Sequence, residues 1–288
     1  MAVTPDSVAA APLPPAHPPP LLTKRVHDAL LAAARAGGGT VECSLDLGRT
    51  RVSVQVDAGG FAFEGRRFDF LARCKDHTVY HWTGSGFEPV ARFTASLVKL
   101  VPTEWGPPTF EIDGIKMLPT ARVSPYVDAQ RKVELIRPQG KRILDTCGGL
   151  GYFAAWCLEG GAAHVASYEK SADVLWLRSL NPWSPPAEPR LTLVHADIAN
   201  EIAALPSGSF DAALHDPPRF GIAGELYSGA FYRELSRVLR RGAVLFHYTG
   251  SPNRLTSGRD VANEVSERLR RSGFETRRSG DGVLATRT

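Results

Sequence analysis

Four carboxylates in the second half of the chain stand at the ends of short apolar runs: Asp145 in RILDTC, Glu169 in HVASYE, Asp197 in LTLVHAD and Asp216 in FDAALHD. An acid in the second of these positions can accept both hydroxyl hydrogens of a ribose, and one in the third can take a hydrogen bond from an adenine amino group. After the first run comes Asp145-Thr-Cys147-Gly148-Gly149-Leu150-Gly151, whose glycines let a backbone approach a ligand closely. After the last comes Pro217-Pro218-Arg219-Phe220. A carboxylate next to a rigid proline turn positions an amine and takes a proton as charge develops on it. His215 and His247 also lie at strand ends, where a histidine is more often a structural hydrogen-bonder than a base. Glu225 and Tyr227 follow Asp216 closely and face the expected mouth of the pocket.

These residues need a parallel sheet to bring them together. From Lys141 onward, apolar strands alternate with helices expected at about 152–159, 171–180, 198–204, 228–240 and 260–272. The strands include AVLFHY, and FETRR with GVLATR closes the sheet as an antiparallel hairpin edge. In such a sheet, ligands bind beyond the carboxyl ends of the strands, where strand order reverses. Before Lys141 the pattern is different. A short amphipathic helix over 22–35 stops at Gly37-Gly38-Gly39, and alternating strands then run from Thr40 to about Phe93 with a turn at Thr83-Gly84-Ser85-Gly86. A Pro- and Gly-rich stretch carrying Trp105, Phe110 and Tyr126 follows, either a packed linker or a lid over the next domain. The expected division is a disordered Pro-rich leader at 1–21, a small helix-plus-β domain with its lid loop at 22–125, and a ligand-binding domain at 126–288.

Composition sets further bounds. The 288 residues are 43% hydrophobic and 22% charged, ordinary for a globular chain, with a formal net charge of +4. Basic residues come as scattered pairs such as Arg66-Arg67 and Arg270-Arg271, without the dense stripe that nucleic acid requires. The four cysteines form no C-x-x-C pair and no zinc-spaced Cys/His cluster, so no metal is expected and a reduced, cytoplasmic setting is. No apolar run approaches a membrane span, and the oligomeric state is not legible.

The half from Lys141 onward resembles the class I S-adenosylmethionine (SAM) methyltransferases. The resemblance implies a Rossmann-like sheet with SAM as methyl donor or substrate. It assigns the glycine loop (Asp145, Cys147, Gly149, Gly151) to the methionine part, Glu169 to the ribose and Asp197 to the adenine. Cys147 departs from that pattern, which usually has glycine there. Longer motifs, GPPTFEIDGIKM, LDTCGGLGY, LNPWS, HDPPRF, AGELYS, LFHYTGSP and GRDV, are similar to those of a family of predicted methyltransferases best represented in archaea, with the bacterial azetidine-2-carboxylate synthases as relatives. Asp216-Pro217-Pro218 resembles the Asn/Asp-Pro-Pro-aromatic motif of amino-group methyltransferases, with Arg219 in the aromatic slot.

Two reactions follow from that pocket. The α-amino group of SAM could displace methylthioadenosine from Cγ and close azetidine-2-carboxylate, with SAM alone as substrate. Alternatively, an amine or other small molecule could be methylated, releasing S-adenosylhomocysteine. Aminopropyl transfer needs a second acidic cluster, and the sequence shows none. A SAM-binding module without catalysis is a fourth class. Asp216, Tyr152, Tyr227 and Glu225 are the expected catalytic residues, and Pro217 joins the cofactor set. Tyr80, Trp82, Trp105, Phe110 and Tyr126 either surround the sulfonium, together with Tyr152 and Tyr227, or pack the core.

Overall fold

Apolar residues in the strands after Lys141 alternate or run continuously, and a sheet built from them must be covered on both faces. The computed structural model describes residues 19–219, 221–250 and 260–288 and shows such a sheet. Its strands are β1 (Arg142–Asp145), β2 (His164–Glu169), β3 (Leu191–His195), β4 (Phe210–His215), β5 (Leu239–Tyr248), β6 (Phe274–Ser279) and β7 (Gly282–Arg287). Their spatial order is 3-2-1-4-5-7-6, with the first five parallel and β7 antiparallel to both β5 and β6. The chain steps outward from β1 to β3 and returns to β4 on the other side of β1. The order therefore reverses between β1 and β4, where a crevice must open.

Helix α1 (Lys24–Arg35) belongs to the N-terminal part; α2 (Pro125–Ile136), α3 (Tyr152–Glu159), α4 (Ala172–Leu180), α5 (Ile198–Glu201), α6 (Gly229–Val238) and α7 (Val261–Arg271) surround the sheet. Ile143, Val165 and Leu214 pack on one face against Val133 of α2, Cys157 of α3 and Leu177 of α4. Their sequence neighbours Leu144, Ala166 and Ala213 pack on the other against Leu235 of α6 and Leu269 of α7. Each fully buried Leu, Ile or Val contributes about 1.5–3 kcal/mol relative to exposure, so a one-residue register slip would be costly. Ser171, Ser228 and Asp260 cap α4, α6 and α7, their side chains accepting from Val174, Phe231 and Asn263 amides. The helix α2 was not expected. Ser124 caps it and Pro125 opens it, the arrangement proline favours at a helix start.

The expected β pattern before residue 94 is present in small antiparallel sheets, 21–22 with 80–82 and 87–89 and 39–43 with 52–56, 60–63 and 66–69, while 91–93 pairs into a third sheet whose other strands, 97–101, 109–112 and 115–116, lie in the stretch expected to be a linker or lid loop. Leu21 and Leu22, expected at the end of the leader and the start of a helix, form a buried strand instead, and Thr23 caps α1. The rest of the leader, Phe220 and the motif residues within 251–259 lie outside the described residues. The small sheets are tied to the large one through polar contacts. Arg92 lies 4.6 Å over Trp176 and pairs with Asp173, while the Trp183 indole N–H donates to the Leu47 carbonyl at 3.2 Å. Among the described residues, no helix is long and apolar enough to cross a membrane.

Gly151, between the glycine loop and α3, has φ +82°, and a Cβ there would stand 2.5 Å from Cζ of the buried Arg178. Gly151→Ala should therefore cost about 1–3 kcal/mol, read as a lower urea midpoint at unchanged m. An unaltered midpoint would show that the loop tolerates a side chain.

Candidate functional site

The reversal between β1 and β4 is lined by the carboxyl ends of β1 to β5 and holds a cavity of about 450 Å³. The glycine loop and the start of α3 form one wall. The segment from Phe110 to Ala121 forms another, and Pro125, Asp128 and Ala129 of α2 complete the rim. The Pro- and Gly-rich stretch is thus a cavity wall. Phe110, Met117 and Leu118 make it apolar, and Trp105 anchors it by donating to the Thr120 carbonyl at 3.0 Å.

Of the sequence-derived positions, Cys147, Gly149, Tyr152, Glu169, Asp197, Asp216, Pro217 and Tyr227 all line this cavity. Glu169 accepts from the Gly149 amide at 3.0 Å and from the Ser171 amide at 2.9 Å, which fixes its carboxylate against the glycine loop. Burial raises its pKa despite those two bonds. Asp197 caps α5, accepting from the Ala199 amide at 2.9 Å, with its second oxygen 3.8 Å from the Lys170 ammonium. Tyr227 donates to the Pro218 carbonyl at 3.0 Å and so holds the proline turn after Asp216.

Three expected positions lie off the wall. Asp145 is buried beneath the loop, where Ser167 donates to it at 2.7 Å and in turn accepts from Arg178 at 3.2 Å. Burial pushes the Asp145 carboxyl up to about 6, against the opposing pull of Ser167 and Arg178. Gly151 packs on Arg178, and Glu225 is half-exposed, 4.0 Å from Lys170. These three act on the cavity through the loop or stand outside it. Tyr152 keeps its place on the wall but not the free phenol a catalyst needs. Its hydroxyl donates to the Pro108 carbonyl at 2.7 Å and accepts from Asn181 at 3.1 Å, and burial holds its pKa far above the usual range.

Among the aromatics expected around a sulfonium, Phe110 reaches the cavity. Tyr80 and Trp82 pack in the N-terminal core, and Tyr126 packs with Tyr152, Trp156 and Trp183. Both strand-end histidines are structural. His215 bridges Thr146 and the Leu226 carbonyl, His247 bridges Tyr232 and the Tyr248 carbonyl, and burial depresses both pKa values, His215 to about 4.

Asp216 has company that sequence reading missed. The ammonium of Lys132, a buried residue of α2, lies 2.7 Å from Asp128, 3.8 Å from Asp216 and 3.9 Å from Asp281, and 4.0 Å over the Tyr248 ring. No second acidic cluster was expected from the sequence; the fold brings Asp128 from α2 and Asp281 from the β6–β7 turn to the same lysine, Asp128 on the cavity wall and Asp281 behind it. Burial pushes Asp216 up to about 6; Lys132 opposes that shift while Asp128 and Asp281 add to it. For Lys132, burial works against the charge, and the three carboxylates outweigh it and raise the pKa. The Ser124-Pro125 start and the Asp128/Lys132 spacing of four were readable signals of a helix.

The cavity's set of hydrogen-bond acceptors suits SAM. Carboxylates at Glu169 and Asp197 suit a ribose diol and an adenine amino group, and Asp128 and Asp216 suit a cation. Among the described residues, no group of three or more His, Cys, Asp or Glu side chains is placed to hold a metal ion.

Comparison with known proteins agrees on the fold. No established family profile matches the chain. The uncharacterized protein MJ1233 of Methanocaldococcus jannaschii is 43% identical over 212 residues, 72% of each chain. Spermidine synthase in complex with the transition-state analogue AdoDATO superposes with a TM-score of 0.51 at 16% identity, over 68% of this chain and 70% of that one. Spermidine synthase from Thermotoga maritima gives 0.51 at 18% identity, over 68% and 71%. The fold is that of the class I SAM-dependent methyltransferase-like proteins.

Asp145 and Asp216 bind protons more tightly in the folded chain than the usual carboxylate at 3.8. Their contribution to stability is complete below about pH 4 and is lost as pH rises through about 6. Urea unfolding at pH 4–8 should show this decline, and Asp145→Asn and Asp216→Asn should each flatten it. Variants that keep the wild-type slope would mean that both acids titrate normally.

Proposed function

The chain belongs to the same family as MJ1233 and has a class I SAM-dependent methyltransferase-like fold, and on that premise we propose that it cyclises SAM to azetidine-2-carboxylate, releasing methylthioadenosine. The observation that carries this reading is Asp216, a carboxylate that burial pushes up to about 6, on the wall of the cavity at the strand ends. At about 450 Å³ the cavity lies near the low end of ligand sites, which span roughly 300–1,000 Å³. One small-molecule substrate fills such a space more readily than two. Arg219 stands on the wall where amino-group methyltransferases carry an aromatic platform, which disfavours a flat acceptor and leaves a cation for a carboxylate.

In this reading Glu169 holds the ribose and Asp197 the adenine, which directs the methionine tail toward Asp216. SAM supplies both the nucleophilic nitrogen and the electrophilic Cγ. Asp216 accepts a proton from the α-ammonium group, freeing the lone pair that forms the N–Cγ bond. The Cγ–S bond breaks with its electron pair on sulfur, and the proton on Asp216 leaves to solvent. The apolar wall of Phe110, Met117 and Leu118 keeps water from competing for Cγ. The Tyr227 and Pro218 bond holds the turn that aims Asp216. A second reading rests on Asp128. With Asp216 it gives the cavity two adjacent carboxylates, which would also suit an external cationic amine receiving a methyl group.

Purified protein incubated with SAM alone should yield methylthioadenosine and azetidine-2-carboxylate in equal amounts by mass spectrometry. Bound but unconsumed SAM would overturn cyclisation and leave methyl transfer to an added amine. Asp216→Asn should slow turnover by about 10²–10⁴-fold with a smaller change in SAM affinity. Turnover should require ionised Asp216, so kcat/KM should rise with pH through about 6 and then level. Glu169→Ala should weaken SAM binding by about tenfold or more, the loss of hydrogen bonds to a charged group. Unchanged calorimetric affinity would remove Glu169 from the ribose site.

A further inference from the structure

Three segments distant in sequence meet at Lys132. Asp128 lies one turn before it on α2, Asp216 follows β4, and Asp281 sits in the β6–β7 turn. That turn is fastened beside the cavity, because the Asp281 carbonyl accepts from the Thr249 and Gly250 amides, each at 3.1 Å. Asp128 and Asp216 line the cavity, whereas Lys132 and Asp281 stand behind its wall. The lysine side chain is 5% exposed and those of Asp216 and Asp281 are 19% and 33%. Charges this close and this shielded act on each other strongly.

One cation among three carboxylates is an unbalanced arrangement. Were the site only structural, a lysine and one aspartate would satisfy it. Without Lys132, burial and the neighbouring charges of Asp128 and Asp281 would keep a proton on Asp216 to higher pH, and it could not accept another there. With Lys132 and no Asp281, Asp216 would ionise at lower pH and be the weaker base. The remaining groups facing Asp216 do not supply this balance. Tyr248 of β5 and Tyr227 are held neutral by burial, as is Cys147; Asp145 is buried under the loop; and His215 and His247 are neutral.

We propose that Lys132 and Asp281 are positioning residues that act through Asp216 and set the pH at which it becomes a proton acceptor, Lys132 favouring the ionised carboxylate and Asp281 opposing it. The C-terminal hairpin, in addition to closing the sheet edge, delivers a charge to the site. This inference rests on the reading of Asp216 as the proton acceptor in SAM turnover.

The test is the titration of Asp216 in full-length protein labelled with ¹³C at aspartate carboxyls, its signal assigned by loss in Asp216→Asn, alongside the pH profile of kcat/KM for SAM. Lys132→Met should move the titration and the acidic limb of the profile up by about 1–3 pH units. Asp281→Asn should move both down by about half a unit to one unit, its partly exposed carboxylate being screened by solvent. KM above the limb should change only a few-fold in either. Should Lys132→Met fail to fold, Lys132→Arg, which keeps the charge, should retain the wild-type limb while Asp281→Asn still lowers it. Shifts of the same sign in Lys132→Met and Asp281→Asn, or an Asp281→Asn protein whose titration and limb stay in place, would overturn the inference alone. An Asp216→Asn enzyme that consumes SAM at the wild-type rate would instead remove the proton-acceptor reading and the inference with it.

Discussion

A carboxylate taken out of water resists ionisation, and the carboxyl edge of this sheet takes several out of water at once. Asp145 and Asp216 are both pushed up to about 6, and Glu169 is raised as well. Each is kept usable by a different partner. Asp145 has Ser167 and, beyond it, Arg178; Glu169 has two backbone amides; Asp216 has Lys132. The partners come from β2, α4 and its N-terminus, the glycine loop and α2, so the sheet and the helices that cover it both supply groups that hold its acids. Much of the architecture around the strand ends answers this one electrostatic demand.

The same demand separates two layers of the site. Glu169, Asp197 and Asp216 face the cavity, while Asp145 and Arg178 lie beneath the glycine loop and fix its path. Gly151 belongs to the lower layer, because its missing side chain leaves room for the Arg178 guanidinium. Tyr152 and Tyr227 sit between the layers. One hydroxyl ties the wall at Pro108 to Asn181, and the other ties the proline turn to the short helical turn at Gly224–Tyr227. The Phe110–Ala121 segment then closes the remaining side with largely apolar surface.

Much of this was legible before any coordinates, for physical reasons that also mark where it stopped. Acids at the ends of apolar runs read directly, since a parallel sheet brings successive strand ends together, and the strands and helices from Lys141 onward fall where their periodicity puts them. Spacing gives a residue's position along a strand or loop but not which way its side chain turns, so it does not tell that Asp145 lies beneath the glycine loop and Glu225 off the cavity wall. The partners of the Tyr152 hydroxyl, Pro108 and Asn181, are 44 and 29 residues away, out of reach of any local pattern. Lys132 was invisible for a related reason. Its helix carried a Ser-Pro start and an Asp/Lys pair, but nothing local says that the helix faces β4 or that a turn near the C-terminus reaches the same point. Long-range convergence of polar side chains is a property of packing, and periodicity does not encode it.

In the proposed cyclisation the amine at Asp216 belongs to SAM itself. The most direct measurement is a crystal structure of the Asp216→Asn protein with SAM bound. Cyclisation requires adenine at Asp197, ribose at Glu169 and a folded methionine tail, with the α-amino nitrogen against residue 216 and in line with the Cγ–S bond. An extended tail that leaves the methyl group pointing at residue 216, with room beyond it for a second molecule, would contradict the account and identify the site as one for methyl transfer.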